Sequence, residues 1–245
     1  HYQPRFHVPS GKIIAMESLV RWQHPKKGLI PPERFLTVAE DTGLILPLGK
    51  QMLRKACEEY RTWLSAGLSP PRIAVNLSDK EFRNRDLLTT VQSILNETDL
   101  QPSDLELELS ENIFVHDVRH TLQTLQQLKE LGIHLSIDDF GTGHCSLNKL
   151  KQIPVQTIKI DRSFINNICE NSDDVAISAA IIALASTLNL DIVAEGVETK
   201  TQKDLLQHLG CHIMQGYFFT RPLQPEEVRA FLASRIDNGS RTHSL

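Results

Sequence analysis

The chain has 245 residues, 40% hydrophobic and 23% charged, an ordinary globular balance that excludes disorder and coiled coil. Its 26 Lys and Arg against 30 Asp and Glu leave a net charge of −4, which argues against a surface built to neutralise nucleic-acid phosphates, so no DNA partner is expected. No stretch approaches the roughly 18 apolar residues of a membrane span, and the longest, 177–190, is broken by Ser178, Ser186, Thr187 and Asn189, so no membrane insertion is expected.

Cys57, Cys145, Cys169 and Cys211 are widely scattered, without zinc-finger or redox spacing, which predicts free thiols in a reducing compartment, the cytoplasm. The sequence starts at His1 rather than Met and reads as strand from Tyr2, which predicts a domain cut from a longer polypeptide. That polypeptide could itself be membrane-anchored.

Aliphatic and β-branched runs at 2–6, 13–20, 72–77, 105–109, 133–137, 157–160, 191–194 and 213–218 predict eight strands. Residues 7–12 are too few for a parallel crossover, so the first two strands should be antiparallel. Ser78-x-x-Glu81 has the form of a capping box. Val118, Leu122, Leu125, Leu128 and Leu131 share one helical face, and Gly132 ends that helix. A second capping box, Thr199-x-x-Gln202, opens a helix that Gly210 closes, and Pro225 suits the first position of the last helix, before Glu226 and Glu227. Strands alternating with helices at this length predict an α/β fold, a modified TIM (β/α)8 barrel with the first strand antiparallel. Residues 1–237 would form the barrel, and 238–245, polar and aperiodic, would fray.

In such a barrel the chemistry gathers where the strands end. Glu17, Asn76, Glu108, Asp138 with Asp139, Lys159, Glu195 and Gln215 each stand in or just after an aliphatic run. One such acid is ordinarily a solvated residue or a cap, but seven strands in succession need another explanation. Five carboxylates crowded together repel, so the cluster holds either protons or cations. Asn76 and Gln215 add oxygen donors and no His or Cys joins the set, which favours Mg²⁺ or Mn²⁺ over Zn²⁺. The pair Asp138-Asp139 suggests a carboxylate shared by two ions, as in two-metal phosphodiester hydrolysis, with Lys159 orienting a water or neutralising phosphoryl charge. A barrel that abstracts a proton beside a carboxylate would also use strand-end acids, a metal and a Lys, and on chemistry alone it stands as a rival. Arg21 could grip a phosphate in two places or form a surface salt bridge.

Other features have plainer readings. Asp139-Phe140-Gly141 lacks the companion loops of a kinase, and Gly141-Thr142-Gly143 is too short for a dinucleotide fingerprint. Trp22 and Trp63 read as core or interface, and His134, His208 and His212 lack ligand spacing. Glu106 shares the inward face of Glu108 and needs a partner.

Glu17-Ser18-Leu19-Val20-Arg21-Trp22, followed by His24-Pro25, Gly28-Leu29-Ile30, Pro32, Phe35 and Ala39-Glu40-Asp41-Thr42-Gly43, closely resembles the signature of the EAL-domain family. The likeness continues through Gln3-Pro4, Asn76-Leu77-Ser78, Glu108-Leu109-Ser110-Glu111, Asp138-Asp139-Phe140-Gly141-Thr142-Gly143, Lys159-Ile160-Asp161, Ala194-Glu195-Gly196-Val197-Glu198-Thr199 and Gln215-Gly216-Tyr217-Phe218. Members are bacterial phosphodiesterases that linearise the second messenger cyclic di-GMP to pGpG. The resemblance implies two metal sites, one from Glu17, Asn76, Glu108 and Asp138, the other from Asp138, Asp139 and Glu195, with Lys159 beside the water between them. It makes Lys159, Glu195 and Asp139 the catalytic set. It assigns Arg21 and Gln215 to substrate, Glu198 and Asp161 to supporting positions, and Glu111 to steadying the loop 140–147, which lies near a dimer interface in the family. A homodimer and attached regulatory or sensory domains are therefore expected partners. Ser18 stands where the family's name-giving Ala would be, Glu81 replaces a frequent Gln, and His144-Cys145 replace an aromatic and a Ser. The alternative within the family is a silent module that binds cyclic di-GMP without cleaving it.

Overall fold

Eight strands close into a barrel in the computed structural model, which describes residues 1–115, 117–143 and 147–240. In chain order the strands are β1 (Tyr2–His7), β2 (Lys12–Ser18), β3 (Trp22–His24), β4 (Gly28–Ile30), β5 (Arg72–Leu77), β6 (Leu105–Ser110), β7 (His134–Phe140), β8 (Thr157–Ile160), β9 (Asp191–Ala194) and β10 (Ile213–Met214). The barrel runs β1-β10-β9-β8-β7-β6-β5-β2, while β3 and β4 form a separate hairpin. β1 pairs antiparallel with both β2 and β10, and the other barrel pairs are parallel. The connection 8–11, only four residues long and too short for a crossover, thus gives the expected inverted first strand.

The helices are α1 (Leu36–Thr42), α2 (Ile45–Ser65), α3 (Asp79–Phe82), α4 (Leu87–Thr98), α5 (Val118–Glu130), α6 (Leu147–Leu150), α7 (Arg162–Asn166), α8 (Ser172–Thr187), α9 (Lys200–His208) and α10 (Pro225–Ser240). Both capping boxes form, Ser78 with Glu81 and Thr199 with Gln202. α10 opens on Pro225 and carries the chain three residues into the segment expected to fray from 238, while 241–245 lie outside the described residues.

Two strand expectations shorten. The run 13–20 leaves the sheet after Ser18, and 213–218 keeps only Ile213 and Met214. Beyond Met214 the chain bends: Gln215 N–H still donates to Ala194 O, then Val197 N–H donates to Gln215 O and Phe218 N–H to Val197 O, holding a turn at Gly216. The hairpin β3–β4, with three residues per strand, carries too little pattern to be foreseen.

Apolar packing lies between barrel and helices. Leu53, Ala56, Cys57, Tyr60 and Trp63 of α2 and Leu125 and Leu128 of α5 are buried against outward faces of the strands. Tyr2 turns outward from β1 to meet Trp63 edge-on at 5.1 Å, and Phe6 stacks on Phe219 at 5.0 Å. The inside of the barrel is different. Arg5, Glu17, Glu106, Glu108, Ser136 and Lys159 are all buried there, where barrels usually carry Val, Ile and Leu. Such an interior is tolerable only if its charges are paired.

Candidate active site

Parallel pairing aligns the strand ends into one rim. Asn76 on β5 sits in register with Glu108 on β6, Ser110 with Asp138 on β7, and Lys159 on β8 with Val193 on β9. Glu195 follows β9 and Gln215 follows β10, their backbone N–H groups bonded to Ile160 and Ala194. Gln3 of the inverted β1 stands opposite Glu17.

Two groups of carboxylates result. Glu17, Glu108 and Asp138 offer oxygens within 4.8 Å of one another, and so do Asp138, Asp139 and Glu195. Asp138 belongs to both. Asn76 Nδ2 donates to Glu17 Oε1 at 2.8 Å and Gln215 Nε2 to Glu17 Oε2 at 2.5 Å, which fixes the plane of that carboxylate and leaves the Asn76 side-chain oxygen, Oδ1, outside these two bonds.

Lys159 occupies the centre. Its ammonium lies 2.5 Å from Glu108, 2.7 Å from Glu195, 3.0 Å from Asp138 and 3.9 Å from Glu17. Fully buried, it would lose its proton to desolvation alone, but the surrounding carboxylates hold its pKa well above the usual lysine value. The acids divide. Burial pushes Glu108 up to about 8 against the pull of Lys159. Burial and the adjacent Asp138 raise Asp139 to about 7, and burial lifts Glu195 well above the carboxylate range. Burial also acts on Glu17, yet Lys159, Arg5, Gln215 and Asn76 together bring it below its ordinary value. Six carboxylates (Glu17, Glu106, Glu108, Asp138, Asp139, Glu195) thus meet three cations (Arg5, Arg72, Lys159). The surplus is negative, and the oxygen set fits hard divalent cations in place of protons.

Three further polar residues, Glu111, Asp161 and Glu198, lie around the rim. Buried Glu111 accepts from Gly141 N–H at 3.1 Å and Gly143 N–H at 3.0 Å, holding the start of the loop after β7, while His144 and Cys145 lie outside the described residues. Asp161 caps α7 through Ser163 N–H at 3.0 Å and shares a hydrogen bond with Asp139. Glu198 is exposed on the cavity wall near Gln215, with its backbone N–H on Gln202. Arg21 stands between two cavities and donates Nη1 to the neighbouring Val20 carbonyl at 2.8 Å.

Those cavities flank the carboxylates. One, about 380 Å³, has apolar walls including Leu19, Leu36, Ile45 and Met52; the other, about 500 Å³, has polar walls including Asp161, Arg162, Asn166 and Glu198. Together they have the volume of a small-molecule site.

Arg5 and Arg72 escaped the sequence reading. Arg5 pairs with Glu106 at 2.7 Å and also with Glu108, supplying the partner Glu106 required; Arg72 adds a third contact at 3.3 Å. The available signal was the two-residue spacing of Gln3 and Arg5 on an otherwise apolar strand. His134, which lacks ligand spacing, has Nε2 2.8 Å from Thr157 Oγ1.

The EAL domain family matches residues 1–222. A bifunctional diguanylate cyclase/cyclic di-GMP phosphodiesterase, MucR of Pseudomonas aeruginosa, is 47% identical over 233 residues, covering 95% of this chain and 34% of the relative. The cyclic di-GMP phosphodiesterase NbdA of the same species is 41% identical over the whole chain and 31% of its own length. The chain therefore spans about a third of these relatives. A solved structure of PaMucR phosphodiesterase in complex with c-di-GMP superposes with a TM-score of 0.90 at 47% identity, covering 93% of this chain and 92% of that one. With the barrel, its inverted strand and the rim of carboxylates all in agreement, the chain belongs to the EAL domain family.

Proposed function

We propose that this domain hydrolyses cyclic di-GMP to linear pGpG with two bound divalent cations, Mg²⁺ or Mn²⁺. The observation that carries the reading is Asp138, which belongs to two carboxylate triads at once and so could be shared by two ions. The names of MucR and NbdA and the c-di-GMP complex of PaMucR support the substrate. One ion would be held by Glu17, Asn76, Glu108 and Asp138, and the other by Asp138, Asp139 and Glu195. Bound there, the cations would lower the pKa of a water toward about 7 and stabilise charge on the phosphoryl group.

The chain's own residues do the rest. Lys159 lies 2.7 Å from Glu195, which shares a carboxylate group with Asp139, so these three would flank an attacking water, and Lys159 would supply positive charge toward the phosphoryl oxygens. Gln215 and Asn76 hold Glu17 in one orientation. Arg21, at the junction of the two cavities, reaches a substrate phosphate, and the cavities take the two halves of the dinucleotide. Glu111, Glu198 and Asp161 support the surrounding loops.

Among the described residues no helix is long and apolar enough to cross a membrane. The free thiols Cys57, Cys169 and Cys211 support a cytoplasmic setting, and the greater length of the relatives supports control by attached domains, with a homodimer as a further partner.

The test is direct. Purified protein is incubated with cyclic di-GMP and Mg²⁺ or Mn²⁺, and pGpG is followed by chromatography. Product that vanishes with chelator supports the reading. Tight nucleotide binding without product under either metal replaces it with the silent receptor.

A further inference from the structure

Glu108 is held at both oxygens, by Arg5 Nη2 at Oε1 and by Lys159 Nζ at Oε2, 2.5 Å away. The two cations differ in kind. Lys159 is a point charge shared with Asp138 and Glu195, whereas Arg5 is a planar fork whose other arm, Nη1, is tied to Glu106 Oε1 at 2.7 Å. The second oxygen of Glu106 takes Arg72 Nη1 at 3.3 Å, and Arg72 opens β5 at the floor of the barrel. Basic and acidic side chains therefore alternate from floor to mouth: Arg72, Glu106, Arg5, Glu108, Lys159.

The fold itself does not call for this chain. A guanidinium 1% exposed is expensive to desolvate, and Arg5 Nε has no partner among the described residues. A hydrophobic side chain of similar volume in place of such a buried pair is often neutral or stabilising. Arg5 also lies on the inverted strand, two residues deeper than Gln3, so it approaches Glu108 from the side away from the mouth.

Resting on the two-metal reading above, we propose that Arg5 is a positioning residue. Its fork locks one oxygen of Glu108 so that the other is presented to a divalent cation, and Glu106 with Arg72 anchors the fork to the barrel floor.

The experiment titrates Mn²⁺ alone into wild-type, R5M, R5K and R5M/E106M protein, following free Mn²⁺ by electron paramagnetic resonance, with thermal melts beside each titration. Arg5 acting on Glu108 weakens Mn²⁺ binding about ten- to a hundredfold in R5M and R5M/E106M, the range for partners of metal ligands, with partial recovery in R5K. The Mn²⁺ dependence of turnover shifts equally, while kcat at saturating Mn²⁺ stays within about threefold of wild type, since no reacting group is removed. The double variant leaves no acid unpaired beside the missing guanidinium, so it folds even where R5M does not. A folded R5M/E106M with wild-type Mn²⁺ affinity overturns the inference. Wild-type protein that takes up no Mn²⁺ overturns the two-metal reading, and this inference with it.

Discussion

Asp138 and Asp139 are neighbours in sequence, and both bring a carboxylate to the same cluster, which a regular strand would prevent by pointing them to opposite faces. The register of β7 on β8 breaks between Ile137 and Phe140, and within the break Asp139 takes a left-handed φ of 51°. A non-glycine residue held there is strained by on the order of 1 kcal/mol, and the strain is what aims the second carboxylate. D139G should therefore melt no lower than wild type and still lose more than about a hundredfold in turnover, beyond the usual effect of losing a mere partner of a ligand. Melting curves and kcat on the same preparations check this. Wild-type turnover in D139G would remove Asp139 from the site.

Lys159 is the sole counter-charge that touches Glu108, Asp138 and Glu195 together among the described residues. K159M leaves those acids facing one another, so metal-free protein should lose about 3 kcal/mol or more, the usual result of breaking a buried pair. Divalent cations can supply the missing charge. The rise in Tm on adding Mn²⁺ should be larger for K159M than for wild type, while turnover stays low because no ammonium is left at the phosphoryl oxygens. Equal Mn²⁺ shifts in the two proteins would mean that Lys159 does not neutralise the cluster.

The rim was legible because each polar residue interrupts or ends an aliphatic run that already announces a strand. Glu17, Glu108 and Lys159 stand out inside such runs, and topology alone then brings them together. What pairs across the barrel was hidden, because Arg5 and Glu106 lie 101 positions apart and meet only once β1 is inverted. The hairpin Trp22–His24 with Gly28–Ile30 is set by the loop above the barrel, and three-residue strands show no period. The left-handed turn at Asp139 follows from a register break that involves β8, so no reading of β7 alone contains it.

Metal-free protein should respond to pH with an inverted sign. Glu108 rises to about 8 and Asp139 to about 7 in the folded chain, chiefly through burial, while the same groups titrate near 4.5 and 3.8 when unfolded. The native state thus binds more protons across this window. Their contribution is fully present below about pH 4 and is lost as pH rises through 7 and 8. His134 works in the opposite direction, since burial lowers it to about 4 and the unfolded chain takes its proton first below 6.5. In chelator, Tm should climb from pH 9 to pH 6.5, and in H134Q it should go on climbing further into acid. Saturating Mn²⁺ should abolish the climb, because ions displace those protons. A Tm that falls steadily from pH 9 to pH 6.5 in chelator contradicts the assignment.

Gly216 sits where a side chain has no room. A Cβ built there would lie 2.1 Å from Val197 O and 2.3 Å from Val197 N, both backbone atoms that cannot swing aside. The contact clamps two segments of the site together: Gln215 precedes the glycine and Glu195 lies two residues before Val197, joined by Val197 N–H to Gln215 O at 3.1 Å. G216A must spread the clamp, moving Gln215 off Glu17 and Glu195 off Lys159. Overpacking of this kind destabilises by about 1–3 kcal/mol. Because the displaced residues contact the carboxylates directly, turnover should fall by about tenfold or more even well below the melting temperature, as displacements near 1 Å commonly do. G67A, where the added Cβ meets open space, is the comparison: it should show a modest loss of Tm from its φ of 75° and wild-type turnover. Matching losses of stability with matching turnover in the two variants would show that the clamp serves folding alone.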